Sequence, residues 1–256
     1  MKTSPCSEIL SYWRFVYLLV LSLGLYVEYE KGKRKFHECE NTWCKDPKCT
    51  GRKQVIDGSV QPVVWILGGP GSGKGTQCEK IVAKYHLVHI SSGDLLRDEV
   101  KSGSKRAEML KSIMDKGGLV PNEIVLDLIQ EKVVSVKESA PGYLIDGYPR
   151  EVGQGRAFEG AIAPPSAIIY FEVSESTLVG RLLGRGQSSG RSDDNAETIK
   201  KRIHTFITHN QEILDAYAGQ IHKINGERGV EEIFRDVEAI LDAVMQPAAS
   251  KRQAVQ

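Results

Sequence analysis

Val63-Val64-Trp65-Ile66-Leu67 runs directly into Gly68-Gly69-Pro70-Gly71-Ser72-Gly73-Lys74-Gly75-Thr76. The apolar run reads as a buried strand, and the residues after Gly73 through Tyr85 read as a helix. Between them lies a glycine-rich turn of the kind that wraps phosphate. Glycines let successive backbone N–H groups turn inward around phosphate oxygens. The helix N-terminus adds partial positive charge, and Lys74 adds a full one for the β and γ phosphates. A glycine turn without a ligand is the plainer alternative, and the strand–loop–helix setting with Lys74 counts against it.

Working outward, short apolar runs alternate with helical patterns. Strands are expected at Leu87–Ile90, Gly142–Asp146, Ala167–Phe171 and Ile221–Ile224, in addition to Val63–Leu67. Helices are expected around Asp94–Ser102, Lys105–Lys116, Asn122–Lys137, from Thr177 to Leu183, over Asn195–Ala218 and over Val230–Met245. This alternation predicts an α/β fold, a five-stranded parallel sheet with helices on both faces. Ligands of such sheets bind at the carboxyl ends of the strands.

The chain as a whole has 256 residues, 26% charged and 41% hydrophobic, with a formal net charge of +1. That balance excludes a nucleic-acid binder working by bulk charge, so any anion site must be a local cluster. His204 and His209 share one expected helix but sit five apart, a poor spacing for a metal pair. Only Cys78 falls in the main body, which shows no disulfide framework and fits a reducing compartment.

Residues 1–61 read as an extension. Within it, residues 9–27 are apolar except for Arg14 and long enough to cross a bilayer, and the flank carrying Lys31, Lys33, Arg34 and Lys35 is basic. The expectation is a membrane anchor with the domain on the cytosolic side. A secretory signal peptide and an N-terminus that never inserts are the alternatives. Residues 32–60 read as a linker. Its His37, Cys39, Cys44 and Cys49 could ligate zinc, but their spacing favours unpaired thiols.

Four motifs in order carry a resemblance. Gly68 to Thr76, with Gly75 and Thr76 after the lysine, resembles the phosphate loop of the nucleoside monophosphate kinases, above all the adenylate kinases. Ser91-Ser92-Gly93-Asp94-Leu95-Leu96-Arg97 resembles their monophosphate-binding turn, and Leu144 to Arg150 their third-strand signature. Arg185 through Asp194 resembles the short lid of the cytosolic, muscle-type adenylate kinases. The resemblance spans nearly all of a domain at 62–246, with a monophosphate-binding segment at 91–120, a lid at 184–194 and a tail at 247–256.

The resemblance implies a P-loop kinase fold with mobile monophosphate-binding and lid segments, and the reaction ATP + AMP = 2 ADP. It implies that Gly71, Ser72, Gly73, Lys74, Gly75, Thr76, Arg181, Arg185 and Arg228 hold ATP. For AMP it implies Ser92, Arg97, Gly118, Leu119, Val120, Gly147, Tyr148, Pro149, Arg150, Gln154, Arg191 and Arg202. Lys74, Arg150, Arg185, Arg191 and Arg202 are the implied catalytic group, and Asp146 would hold Mg²⁺ through water. The charges agree with that chemistry. Lys74, Arg97, Arg150, Arg185, Arg191 and Arg202 can meet the roughly six negative charges of two facing nucleotides, and phosphoryl transfer asks mainly for alignment and neutralisation. The acceptor oxygen is already anionic, so no general base is needed.

The implied enzyme is a cytoplasmic monomer acting on ATP, AMP and ADP, with no nucleic-acid partner and no metal in its short lid; the membrane tether through 9–27 is expected from that segment alone, since the first sixty residues match nothing in the family pattern. Asp193 and Asp194 either steady the closed lid or solvate it. Three departures from the family pattern stand out. Ser92 replaces an expected Thr, the stretch Ala218–Ile221 is about two residues short, and Arg228 stands near an expected Gly beside the ATP adenine. The same reaction on UMP or CMP, and a P-loop nucleotide-binding module without turnover, are the rival readings.

Overall fold

A computed structural model describes residues 54–187, 189–191 and 193–255. The expected anchor at 9–27 and the thiols Cys39, Cys44 and Cys49 with His37 lie outside the described residues. Among the described residues no helix is long and apolar enough to cross a membrane.

Five strands form one parallel sheet: β1 (Val63–Gly68), β2 (Val88–Ser91), β3 (Tyr143–Asp146), β4 (Ala167–Glu172) and β5 (Ile221–Asn225), in the order β2-β3-β1-β4-β5. The order changes direction at β1, so the loop leaving β1 opens at the switch point where such sheets receive ligands.

Strand periodicity explains why nearly every central side chain is apolar. Val63, Trp65 and Leu67 face one core layer with Tyr143, Ile145, Ile168 and Tyr170. Val64 and Ile66 face the other with Leu144, Ile169 and Phe171. A strand covered on both sides has no polar face to alternate with. Trp65 centres the first layer, edge-on to Phe158 at 5.5 Å and Tyr217 at 5.3 Å between ring centroids.

The helices are α1 (Lys74–Tyr85), α2 (Ser92–Lys101), α3 (Ala107–Asp115), α4 (Asn122–Val136), α5 (Val152–Ala161), α6 (Glu175–Gly186), α7 (Ala196–Ala216) and α8 (Val230–Val255). Helices α1 and α8 cover the second face through Cys78, Ile81, Phe234, Val237 and Leu241. A separate small cluster of Leu178, Leu182, Ile199 and Ile203 joins α6 to α7.

Two elements depart from the sequence reading. Helix α5 was not anticipated, because Gly153, Gly155 and Gly160 lower its intrinsic propensity. Tertiary packing overrides that: Phe158 is fully buried, and a Cβ at Gly155 would lie 2.4 Å from the Tyr217 hydroxyl. Helix α8 continues ten residues past Met245 and through Pro247. A proline removes one backbone donor, and the ladder on either side of it persists.

Candidate active site

Registers bring the site together. Ser91 pairs with Asp146, and Asp146 with Ile66, so three strands end level at one rim of the sheet. From that rim spring the glycine loop, the Ser92 turn and the Gly147–Arg150 segment. With α6, α7 and the β5–α8 connection they enclose a cleft of about 850 Å³.

The loop's shape is set by Gly71 and Gly73, at φ 85° and 92°. Gly73 takes the N-cap place of α1 without any side-chain cap, which leaves the helix's first N–H groups for an anion. Lys74 Nζ donates to the carbonyls of Gly68 and Gly69, each at 2.8 Å, and lies 3.4 Å from Ser72 Oγ. Burial is the main cause that brings its pKa down to about 8; the Arg150 and Arg202 charges add to it, and Asp146 opposes. Burial thus disfavours the charged form of Lys74 more than Asp146 restores it.

Opposite the loop, Ser91 caps α2 by accepting the Asp94 N–H, and Ser92 Oγ donates to the Gly147 carbonyl at 3.0 Å. Arg97 pairs with Asp94. Arg150 Nε donates to the Gly147 carbonyl at 3.1 Å, and its backbone N–H donates to Gln154 Oε1 at 2.8 Å. Tyr148 hydroxyl donates to the Gln154 carbonyl at 2.9 Å and lies 2.8 Å from Asn122 Oδ1. Gln154 is thus fixed at both ends of its residue, with its Nε2 as the remaining side-chain donor.

Helices α6 and α7 bring the other cations. Asp194, its side chain 1% exposed, receives Arg185 through two hydrogen bonds of 2.8 and 2.7 Å. It also accepts from Ser189 Oγ at 2.9 Å and from Arg202 Nη1 at 3.1 Å. Burial alone would raise this carboxyl, and the bonds from Arg185 and Ser189 outweigh burial and hold it below its ordinary range. Asp193 pairs with Arg202 at 2.8 Å. Asp194 thus bridges Arg185 of the 184–194 segment to Arg202 of α7, and Asp193 adds a second pair to Arg202.

Arg150, Arg191 and Arg202 are all pulled below the ordinary guanidinium range, by burial first. Neighbouring arginines add to the pull, Arg202 on Arg150 and Arg97 on Arg191. Guanidinium groups stay charged under such shifts.

Every site residue expected from the sequence lines the cleft except Leu119, whose neighbours Gly118 and Val120 do. Arg181 donates both terminal nitrogens to the Gly226 carbonyl at 3.0 Å. Arg228 lines the cleft and pairs with Asp236. The sequence reading missed His89, Met114, Gly117, Thr205, Phe206 and Asn210, which also line it. For Thr205 and Phe206 a signal existed: they follow Arg202 by three and four positions, one helical turn on the same face. His89 alternates with Val88 and Ile90 on a strand and carried no such mark. It sits 3.6 Å from Asp146, and both His89 Nε2 and Asp146 Oδ1 are buried without a hydrogen-bond partner. Burial, then the Asp146 charge, pushes the nearby Cys78 thiol well up.

Comparison with known proteins identifies the family. A family model described as adenylate kinase matches residues 66–222. The chain is 56% identical over 184 residues to adenylate kinase isoenzyme 1 of Caenorhabditis elegans, covering 71% of this chain and 88% of that one. It is 50% identical over 182 residues to the Gallus gallus isoenzyme 1, with 70% and 94% covered. For the Homo sapiens isoenzyme 1 the identity is 49% over 184 residues, with 71% and 95% covered.

Proposed function

We propose a division of labour within this cleft on the premise that the chain belongs to the adenylate kinase family and is a phosphotransferase carrying out ATP + AMP = 2 ADP. The observation that carries it is the convergence of Lys74, Arg97, Arg150, Arg185, Arg191 and Arg202 from separate segments onto one cleft. One polyanion does not need six cations at two ends of a cavity; two facing polyanions do.

ATP lies with its phosphates in the glycine loop, against the backbone N–H groups from Gly71 to Thr76. Lys74 leaves the Gly68 and Gly69 carbonyls for the β and γ oxygens. The adenine rests by Arg181, whose hold on the Gly226 carbonyl flattens it against the β5–α8 connection, with Arg228 at the margin. AMP lies on the Ser92 side, its phosphate gripped by Arg97 and Arg150 and its base met by Gln154 and the Gly118–Val120 wall. Guanidinium forks suit this task because each can hold two phosphate oxygens at fixed angles. The AMP phosphate oxygen then attacks the γ-phosphorus in line, and the bond from that phosphorus to the β–γ bridging oxygen breaks. Arg185, Arg191 and Arg202 lie over the transferring group and take up its spreading charge. Closing the 184–194 segment excludes water, whose attack would waste ATP.

Asp146 fits the magnesium that accompanies ATP. Its carboxylate stands beside the phosphate loop, and its buried Oδ1 has no protein partner, as befits an acceptor for a metal-bound water. Bound there, magnesium would draw charge from the phosphates. We place the enzyme in the cytosol as a monomer, and read residues 9–27 as a tether that bears on location and not on turnover.

Formation of ADP from MgATP plus AMP, followed by a coupled assay, tests the reading. Lys74→Ala should lose at least about a hundredfold in kcat, the usual cost of removing one charge aimed at a transition state. Rates with CMP and UMP should fall well below that with AMP. Absence of ADP formation by the full chain would overturn the assignment. Removal of residues 1–61 should leave kcat unchanged, and unchanged localisation would remove the tether.

A further inference from the structure

Beneath the phosphate loop lie two side chains that the transfer reaction does not use, Cys78 and His89, next to Asp146, the carboxylate given above to magnesium. Among the described residues, Cys78, His89 and Asp146 form the one trio of potential metal ligands, with a ligand atom from each lying within 4.8 Å of the others. They come from three different elements: Cys78 from α1, His89 from β2 and Asp146 from the end of β3. We infer that this trio is a binding site for a zinc-class cation, and that zinc held there shuts off phosphoryl transfer.

The donor set decides the class of metal. A thiolate and an imidazole are ligands that magnesium and calcium refuse and that zinc accepts, with a carboxylate as third. The spacing is compatible. Zinc bonds of about 2.0–2.3 Å at tetrahedral angles place ligand atoms roughly 3.4–3.6 Å apart. His89 Nε2 and Asp146 Oδ2 already stand 3.6 Å apart, so the third ligand needs only a small side-chain adjustment.

Polar satisfaction gives the second, independent observation. His89 Nε2 and Asp146 Oδ1 are buried with no hydrogen-bond partner. Buried polar atoms normally have partners; a magnesium-bound water would answer Asp146 Oδ1 but leaves His89 Nε2 unanswered, and a cation held with Cys78 would satisfy it. Access is through the cleft, which His89 and Asp146 line while Cys78 lies behind them. On binding, a bond forms from Cys78 Sγ to zinc, the thiol proton passes to solvent, and His89 coordinates as neutral imidazole. No electrons are exchanged.

Three protein ligands leave a fourth position for water, which marks the site as reversible rather than a closed structural one. The inhibitory half of the inference rests on the proposed reaction. Zinc would take the carboxylate assigned to magnesium and set a double positive charge close to Lys74, one helical turn from Cys78. Zinc and MgATP would therefore exclude one another.

The experiment uses the full chain, freed of metal, with Zn²⁺ and Co²⁺ as probes. Cys78→Ala and His89→Gln are the two variants, so that one misfolded protein does not leave the question open. Titration calorimetry should show one fewer equivalent of zinc in each variant than in the parent, or at least about a tenfold weaker event. Counting the difference removes any metal held by thiols of residues 1–61. With Co²⁺, the parent should gain thiolate-to-cobalt absorbance that Cys78→Ala lacks at that equivalent. Half-inhibition of ADP formation, measured with magnesium in excess, should need at least about tenfold more zinc in the variants. Equal stoichiometry, equal affinity and equal half-inhibiting zinc in all three proteins would overturn the inference. A parent that makes no ADP with magnesium alone would instead count against the proposed function, and the calorimetry would still decide whether the zinc site exists.

Discussion

Raising the pH should disarm this enzyme before it unfolds it, and Lys74 is the reason. Its ammonium works only when charged, and burial brings its pKa to about 8, from 10.5 in the unfolded chain. With a pKa of about 8, some 90% of the free enzyme carries the charge at pH 7, roughly 10% at pH 9 and about 1% at pH 10. The kcat/KM for MgATP should therefore fall about tenfold by pH 9 and approach a hundredfold by pH 10. In the ternary complex the phosphates favour the charged form, so the fall in kcat should move to higher pH. The effect on stability has the opposite sign. A lysine whose pKa is depressed by folding costs stability wherever it is charged in both states, which is below pH 8. Between about pH 8 and 10.5 the unfolded chain binds the extra proton, so this group's penalty shrinks as pH rises. Lys74→Met should accordingly be more stable than the parent at pH 7, with the gap closing toward pH 10.5. The assays are initial rates from pH 6.5 to 10 and urea unfolding over the same range. Lys74→Arg, charged throughout, should turn over more slowly yet lack the alkaline limb. A parent kcat/KM that is flat to pH 9.5, or a Lys74→Arg enzyme with the same limb, would refute the reasoning.

Three other outcomes follow from particular contacts. Asp194→Asn keeps the shape but removes the charge that gathers Arg185 and Arg202; it should cost about 2–4 kcal/mol and at least tenfold in kcat, read from thermal unfolding and initial rates. Arg150→Lys gives up the forked grip and the Nε bond to the Gly147 carbonyl; KM for AMP should rise and kcat fall about a hundredfold, while KM for ATP moves little. Gly155→Ala would press a methyl against the Tyr217 hydroxyl beside Trp65; it should lower stability by about 1–3 kcal/mol, seen as a lower urea midpoint at unchanged slope, with kcat held.

How much of this could be read in advance depended on whether a residue's job was local. The glycine loop is local: a strand, positive-φ glycines and a lysine at fixed spacing specify one shape wherever they occur, and the structure has it. Strands β1, β3 and β4 were legible because burial on both faces turns each into an apolar run, while the edge strands β2 and β5 showed as shorter, partly polar runs between helical patterns. Helix α5 was not, because its evidence is non-local: three glycines speak against a helix, and only Trp65, Phe158 and Tyr217 meeting in one layer speak for it. His89 was hidden for the same reason. A polar residue inside a short strand looks like an ordinary solvated alternation until the fold brings the Asp146 carboxylate to 3.6 Å and the Cys78 thiol of α1 into the same group. Asp193 and Asp194 lie between these cases: their acidity was plain, but which cations they pair with needed the distances to Arg185 and Arg202.

Those distances bear on how the protein folds at all with so much positive charge in one cavity. Six cations drawn into a cleft of about 850 Å³ would repel one another strongly if nothing answered them. Each is held provisionally: Lys74 by loop carbonyls, Arg97 by Asp94, Arg150 by the Gly147 carbonyl, Arg185 and Arg202 by Asp194 and Asp193, and Arg191 facing Asp94 at 3.9 Å. Asp94, Asp146, Asp193 and Asp194 offset four of these six, and with Arg181 and Arg228 also on its wall the cleft stays positive and attractive to nucleotides. Phosphate binding is then an exchange of partners rather than the making of new bonds from nothing, which holds net affinity down. Part of the gross interaction is withheld until the transferring phosphoryl group spreads its charge toward the arginines. That is the difference between binding a substrate and binding its transition state.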